Sequence, residues 1–182
     1  VGPPVVDPAV SLVLRGALVW VFAVAALHKL RDPTGYGAIV RGYRLVPDGG
    51  ATVWALALGA AEAATVAALL VPGVVGYGAA SAALLLAVYS TAIAVNLVRG
   101  RRDVDCGCAG PGRRQTLSGW LLVRNGGLLA AAVACAWPVG ARPVHWLDAV
   151  TAAGGVCVLV LLFTAVAGLG TPRAPARSGA FR

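Results

Sequence analysis

The chain has 182 residues, 59% of them apolar and only 12% charged, with a formal net charge of +8 and a mean hydropathy of +0.81. That composition excludes an ordinary water-soluble domain, and the absence of a soluble basic face with stacking or groove-reading residues excludes nucleic acid as a partner. What remains is an all-α protein with lipid as its solvent: a polytopic transmembrane helical bundle, four-helix core plus a fifth transmembrane helix, over residues 1–170.

Five apolar stretches, near residues 9–30, 51–71, 74–98, 117–138 and 145–169, each approach the roughly 20 residues needed to cross about 30 Å of hydrocarbon. The first has no basic residue ahead of it and exceeds a usual signal core, so it reads as a helix that stays in place. Between the second and third, Val71-Pro72-Gly73 predicts a tight turn and antiparallel neighbours. Small residues such as Gly59, Ala63, Gly76, Gly78 and Ser81 predict close backbone approach between them. The third runs from Val74 to Val98 without one charge. Residues 171–182, rich in Arg, Pro, Ala and Gly, read as a disordered basic tail touching anionic lipid.

Charge orients the bundle. Lys29, Arg31, Arg41 and Arg44 lie in or beside the first connection, Arg99, Arg101, Arg102, Arg113 and Arg114 in the third, and Arg173, Arg177 and Arg182 in the tail. With five spans all twelve fall on one side, which the positive-inside rule makes cytoplasmic, leaving the N-terminus outside a multi-pass plasma-membrane protein and the C-terminus inside.

Chemistry concentrates in Cys106-Gly107-Cys108, within a glycine-rich loop. Cysteines at i and i+2 close a small strained ring, and strain makes a disulfide labile and exchangeable. Nearby arginines favour the reactive thiolate, and Asp103 and Asp105 oppose them. Metal binding (two thiolates and a carboxylate fall short of a closed zinc site) and a plain tight loop are the competing accounts, so no metal is assigned. Cys135 and Cys157 read as ordinary apolar residues on spans four and five, about 10 Å apart in depth by the helical rise and too far to pair.

Intramembrane ionisable residues are costly and mark candidate sites. Glu62 lies near the centre of span two and Arg124 enters span four, which predicts a Glu62–Arg124 pair with Asn125 as a further hydrogen-bond partner. Arg15 and Asp148 fall near the outer boundary, where they are expected to pair. His28 and Lys29 end the first span, with Lys29 snorkelling to the interface and His28 either solvated or carrying protons. No Walker loop, catalytic triad or zinc-protease motif is present.

Taken in order, Ala26-Leu27-His28-Lys29-Leu30-Arg31-Asp32-Pro33, Tyr43-Arg44-Leu45-Val46-Pro47, Glu62, Arg99-Gly100-Arg101, Cys106-Gly107-Cys108-Ala109-Gly110 and Arg124-Asn125 make the chain resemble the methylamine-utilisation MauE family from about residue 10 to residue 138. That resemblance implies a membrane four-helix core similar to DoxX-like and vitamin K epoxide reductase/DsbB-like bundles. It also implies a place in methylamine metabolism, where the named member assists maturation of a disulfide-rich periplasmic dehydrogenase subunit beside a thioredoxin-like partner. By the same resemblance Cys106 and Cys108 are the thiol pair, and Lys29, Tyr43, Glu62, Arg124 and Asn125 are the other pattern positions. The sequence departs from the pattern at Ala109, where the family has an aromatic residue, and in its fifth span.

Two functional readings follow. One is an accessory protein of thiol-disulfide exchange or electron transfer, an oxidoreductase acting through Cys106 and Cys108, with a quinone as electron partner by analogy with similar bundles. The other is a non-enzymatic membrane subunit or small-solute carrier whose cysteines are structural. A conflict accompanies the first, because disulfides form outside the cytoplasm whereas the basic residues place the loop inside. Either the loop dips back toward the membrane, or the orientation rule fails, or the pair passes cytosolic electrons across the bundle, the last being the preferred expectation.

Overall fold

In a computed structural model the structure describes residues 5–107, 116–143 and 145–169. Six α-helices follow in order: α1 (Pro8–Arg31), α2 (Pro33–Tyr43), α3 (Ala51–Leu70), α4 (Val75–Val98), α5 (Gly119–Cys135) and α6 (Trp146–Leu169). Among the described residues there is no strand, only isolated bridges pairing Val6 with Val139 and Asp105 with Thr116. The expected basic tail, and with it Cys108, Arg113 and Arg114, lies outside the described residues.

Four helices, α1, α3, α4 and the first 20 residues of α6, are long and apolar enough to cross a membrane. The fourth expected span contracts to the 17 residues of α5, since Trp137 and Pro138 leave the helix. Seventeen residues rise about 25 Å, at the lower limit for crossing. Outward faces are as apolar as the interior: Val53 is 68%, Leu84 66%, Val123 62% and Leu161 61% exposed. Such surface is tolerable only against hydrocarbon, and helices satisfy their backbone groups there without water. The chain is a polytopic helical membrane protein.

Lipid tails are as apolar as leucine, so packing between small residues rather than hydrophobic burial holds such helices together. α1 is the hub, packed against α3, α5 and α6, while α4 packs against α3 and α5. The Val71-Pro72-Gly73 turn is as expected, with Gly73 at φ +88°. At Gly78 a Cβ would stand 2.7 Å from the Leu69 backbone nitrogen, so only glycine lets α4 approach α3 this closely. Gly78→Ala should therefore cost about 1–3 kcal/mol as an overpacked contact, read as a lowered melting temperature of the detergent-solubilised protein. Gly59 serves α1 instead, its missing Cβ facing Leu30 and Lys29, and Gly76 meets open space. α6 is held to α1 by the close approach of Gly155 to Val13 and of Gly16 to Val156, and by an edge-to-face contact between Trp20 and Phe163 with centroids 5.8 Å apart.

The α2 helix is absent from the sequence reading, which treats this stretch as a connection. Asp32 creates it. Its backbone N–H donates to the His28 carbonyl at the end of α1, and its carboxylate caps α2 by accepting from the Gly35 N–H at 2.8 Å and the Thr34 hydroxyl at 3.0 Å, with Pro33 as first helical residue. α2 then packs across the start of α3, where a Cβ on Gly37 would be 3.2 Å from the Thr52 backbone. The end of α1 is thus not the end of the bundle, and α2 forms a further layer.

At the opposite end a polar latch joins the chain entering α1 to the α5–α6 connection. The Val6 N–H donates to the Pro138 carbonyl and the Gly140 N–H to the Val6 carbonyl, while Arg142 bridges Asp7 and Asp148 at 2.9 and 2.8 Å. The expected Arg15–Asp148 pair does not form: Arg15 Nη2 donates to the Leu69 carbonyl at 2.7 Å, satisfying the end of α3, and Arg142 holds Asp148. Carbonyls in the last turn of a helix have no donor of their own and draw in a nearby guanidinium. Hydrogen bonds from Arg142, then from the Ala9 N–H, hold the Asp7 carboxyl below its usual 3.8. A depressed carboxyl contributes stability above its unfolded value and loses it as pH falls through the folded one. Amide exchange at Val6 and Gly140 should accordingly be unchanged from pH 7 to 5 and rise, relative to the intrinsic rate, below about pH 4.

Candidate functional site

Two buried clusters divide the interior. Leu18, Phe22, Leu69, Ala82, Leu86, Ala132 and Cys135 fill the half next to the latch. Ile93, Cys106, Leu117 and Leu121 close the other end, with Tyr43, Leu97 and Val104 against them. Between the clusters lies a cavity of about 260 Å³ that gathers the polar side chains.

Glu62 on α3 is fully buried, and its partner is Lys29 on α1, itself 4% exposed. Lys29 Nζ donates to Glu62 Oε1 at 2.7 Å and to Oε2 at 2.9 Å, and the Tyr89 hydroxyl on α4 donates to Oε1 at 2.7 Å. The ammonium also stands 4.6 Å from the Tyr36 ring and 5.4 Å from the Tyr89 ring, within cation–π range. One buried carboxylate therefore ties α1, α3 and α4 together, with Tyr36 of α2 set over the cation. This corrects the expected snorkelling of Lys29: α2 covers the end of α1, so the side chain turns inward to a carboxylate rather than outward to water. Where the sequence reading paired Glu62 with Arg124, the described ion pair of Glu62 is with Lys29, at 2.7 Å.

Arg124 stands instead against the Phe163 ring of α6, 5.1 Å from its centroid, and Arg124 Nη2 donates to Asn125 Oδ1 at 3.2 Å. Asn125, 3% exposed, donates from Nδ2 to Ser90 on α4 at 3.4 Å, a long contact. Both residues still line the same cavity as Glu62 and Lys29.

The cysteine loop returns to the bundle. Asp105 pairs with Thr116 at its base and the Leu117 N–H donates to the Arg102 carbonyl. Asp105 Oδ1 accepts the Gly107 N–H at 3.0 Å, turning the chain, and Gly107 adopts φ +73°. A Cβ at Gly107 would lie 2.8 Å from the Tyr36 ring and 3.3 Å from Ile39, so both the backbone angle and the contact with α2 demand glycine. Cys106 is consequently 5% exposed and forms part of the cavity wall. Arg101, just past the end of α4, fixes this arrangement: Nη2 donates to the Gly42 carbonyl at 2.9 Å and Nη1 to Asn96 Oδ1 at 3.1 Å and the Tyr43 carbonyl at 3.4 Å. The last carbonyls of α2 thereby gain donors that the helix lacks.

Of the expected site residues, Lys29, Tyr43, Glu62, Cys106, Arg124 and Asn125 line one cavity. His28 does not line it, its side chain being half-buried on another face of α1. Cys135 sits in the apolar cluster and Cys157 is exposed on α6, and the two are not joined. The sequence reading missed Tyr36, Tyr89 and Asn96, and it named Arg101 only as a basic residue of the loop and of the family pattern, not as the anchor of α2. Tyr89 and Asn96 had a signal, polar groups inside an otherwise apolar span. Asp32-Pro33-Thr34 signalled α2 as a capped helix start, and Tyr36 with it.

These features define a class: a multi-pass helical membrane protein with a buried ion pair, a cavity within the bundle and a cysteine, Cys106, in the cavity wall. The chain belongs to the MauE family, whose sequence model, described as methylamine utilisation protein MauE, matches residues 7–138. It is 37% identical over 166 residues to the methylamine utilization protein MauE of Paracoccus denitrificans, covering 90% of this chain and 89% of the relative. It is 39% identical over 165 residues to that of Paracoccus versutus, with the same coverages, and 37% over 138 residues to that of Methylorubrum extorquens, covering 75% and 74%. The match of 166 residues to the Paracoccus denitrificans relative extends beyond residue 138 and takes in most of the residues of α6. No solved structure matches the chain.

Proposed function

We propose that the chain is an accessory protein of methylamine utilisation, seated in the plasma membrane, that assists a partner protein by thiol-disulfide exchange through Cys106 and Cys108. The observation that carries this reading is the position of Cys106: held by Gly107 and Asp105 in the wall of the cavity that contains Lys29, Glu62 and Tyr89. A purely structural cysteine has no need of that cavity. In the exchange one thiolate attacks a partner disulfide, forming a mixed disulfide and releasing a partner thiolate; the second cysteine displaces the first bond. The products are a Cys106–Cys108 disulfide and a reduced partner, and the reverse sequence oxidises a partner dithiol. A thioredoxin-like protein is the fitting partner, since its exposed cysteine pair exchanges by the same steps.

The packing of Cys106 and Gly107 against the bundle supports the first of the three ways around the topological conflict. A thiol at Cys106, on the cavity wall, is reached through the protein as well as from the aqueous side, so a basic, cytoplasmic end and redox traffic are compatible. Alkylation of intact and inverted membrane vesicles with an impermeant maleimide, before and after reduction, checks both points by mass mapping. Slow labelling that is confined to inverted vesicles and increases after reduction is the expected outcome. Thiols that never form a trapped mixed disulfide with a thioredoxin variant lacking its resolving cysteine would leave the structural subunit as the better account.

A further inference from the structure

α2 ends on a residue that its backbone does not favour. Arg44 caps the helix at φ 51° and ψ 42°, and among the described residues it is the one non-glycine in the left-handed region. Glycine is the ordinary choice there, because a Cβ crowds the following carbonyl in that conformation. Backbone strain of this kind persists where the side chain has a task. The turn brings Arg44 beside Arg41, and both line an open pocket whose remaining wall is Leu45, Val46 and Pro47. Both are exposed, and among the described residues no carboxylate pairs with either. Arg101, held by the Gly42 and Tyr43 carbonyls, adds a further positive charge to the same turn. Two guanidinium groups facing one pocket repel each other until an anion sits between them. Their paired N–H groups match the oxygens of a phosphate.

Leu45 and Val46 have a second place in the fold, since they also line the cavity that contains Lys29 and Glu62. The basic pocket and the apolar cavity therefore share a wall. Trp54 on α3 and Val88 on α4 line the cavity as well, and at 49% and 48% exposure they carry it out to the lipid-facing surface. Elsewhere the cavity wall is largely aliphatic, with residues such as Val21, Leu86 and Leu128. The basic pocket stands just ahead of Ala51, where the apolar span of α3 begins, and so at the level of lipid headgroups. A ligand that satisfies both parts carries a phosphate joined to a long apolar chain. A net negative headgroup fits best, because the ammonium of a zwitterionic one would bring another cation to a pocket that already holds two.

We infer that this is a site for an anionic phospholipid, its phosphate held by Arg41 and Arg44 and one acyl chain passing over Leu45 and Val46 into the cavity. The site does not depend on the thiol-exchange reading. The bound chain fills the space beside the Lys29–Glu62 pair with hydrocarbon and keeps water from it.

The test uses the full chain in detergent micelles, with phosphatidylglycerol and phosphatidylcholine carrying the same dibrominated chains as probes, because bromine quenches tryptophan on contact. Trp54 is in the cavity wall, and Trp54→Phe isolates its share of the signal from that of the other tryptophans. Phosphatidylglycerol should quench Trp54 saturably and at a concentration at least about fivefold below phosphatidylcholine. Arg44→Gly and Arg41→Gln should each weaken phosphatidylglycerol by about fivefold, the contribution of one basic residue beside a charged headgroup, and the double variant should treat the two lipids alike. Arg44→Gly relieves the backbone, so its melting temperature should not fall, which separates lost binding from lost fold. Ala92→Phe and Ala25→Phe, which fill the cavity from α4 and from α1, should weaken both lipids, with helical circular dichroism as the check on folding. Equal quenching by the two lipids in the parent, or a preference that survives the double variant, would overturn the headgroup site. Quenching unchanged by both fillings would overturn the placement of the acyl chain. Inorganic phosphate should fail to displace the brominated lipid; displacement as ready as that by unlabelled phosphatidylglycerol would make the pocket a site for a soluble anion instead.

Discussion

Lys29→Met should destabilise the bundle by about 3–5 kcal/mol, because it removes one partner of a buried ion pair and leaves the other carboxylate in place. Glu62 has no exposed surface, and its two shortest ionic contacts, 2.7 and 2.9 Å, are both with the Lys29 ammonium. The hydrogen bond from Tyr89 is neutral, too little to replace a cation in a medium of low dielectric. Lys29→Met/Glu62→Gln should recover most of the loss, since removing both charges of a buried pair is often close to neutral and the amide oxygen introduced on α3 can still accept from Tyr89. Thermal unfolding of the parent, the single variant and the double variant in one detergent measures both effects. Should the single variant melt with the parent, the ion pair would not be what ties α1 to α3 and α4.

Cys106→Ser should abolish exchange with a thioredoxin-like partner, while Glu62→Gln should lower it only to the extent that it loosens the bundle. The contrast separates the two functional readings. In the redox reading the sulfur atom is the reacting group, and a hydroxyl of nearly the same size neither forms a mixed disulfide nor resolves one. Folding should be little affected, since Cys106 packs as a small apolar residue against Ile93, Leu117 and Leu121. In the subunit or carrier reading the order reverses: the serine variant keeps function and Glu62→Gln loses it. Complementation of a strain lacking the protein, with protein levels measured for each variant, gives that order.

The same residues show how far a sequence carries. All five long apolar segments became helices, because hydrocarbon permits no other open backbone and a run such as Val75–Val98 cannot hide its N–H and C=O groups otherwise. The Val71-Pro72-Gly73 turn followed from residues restricted to such turns. Lys29, Tyr43, Glu62, Cys106, Arg124 and Asn125 stood out singly, as costly polar groups or by family resemblance, and they share a wall in the structure.

Partner choice was not legible. Depth counted along isolated helices set Glu62 beside Arg124 and Lys29 at the interface, since the count assumes that each helix ends where the bundle ends. α2 breaks that assumption: capped by Asp32 and anchored by Arg101, it adds a layer beyond α1 and turns Lys29 inward. Nor does the spacing of Cys106 and Cys108 show where Cys106 rests; Gly107 against Tyr36 and Ile39 does. Lipid immersion, the long apolar helices and the identity of the polar residues were determined by the sequence alone, because hydrophobicity and backbone satisfaction act locally. Which ion pairs with which, and that thiol and carboxylate face one cavity, only the tertiary structure decided, because those contacts depend on how helices distant in sequence cross and where a short helix lies over their ends.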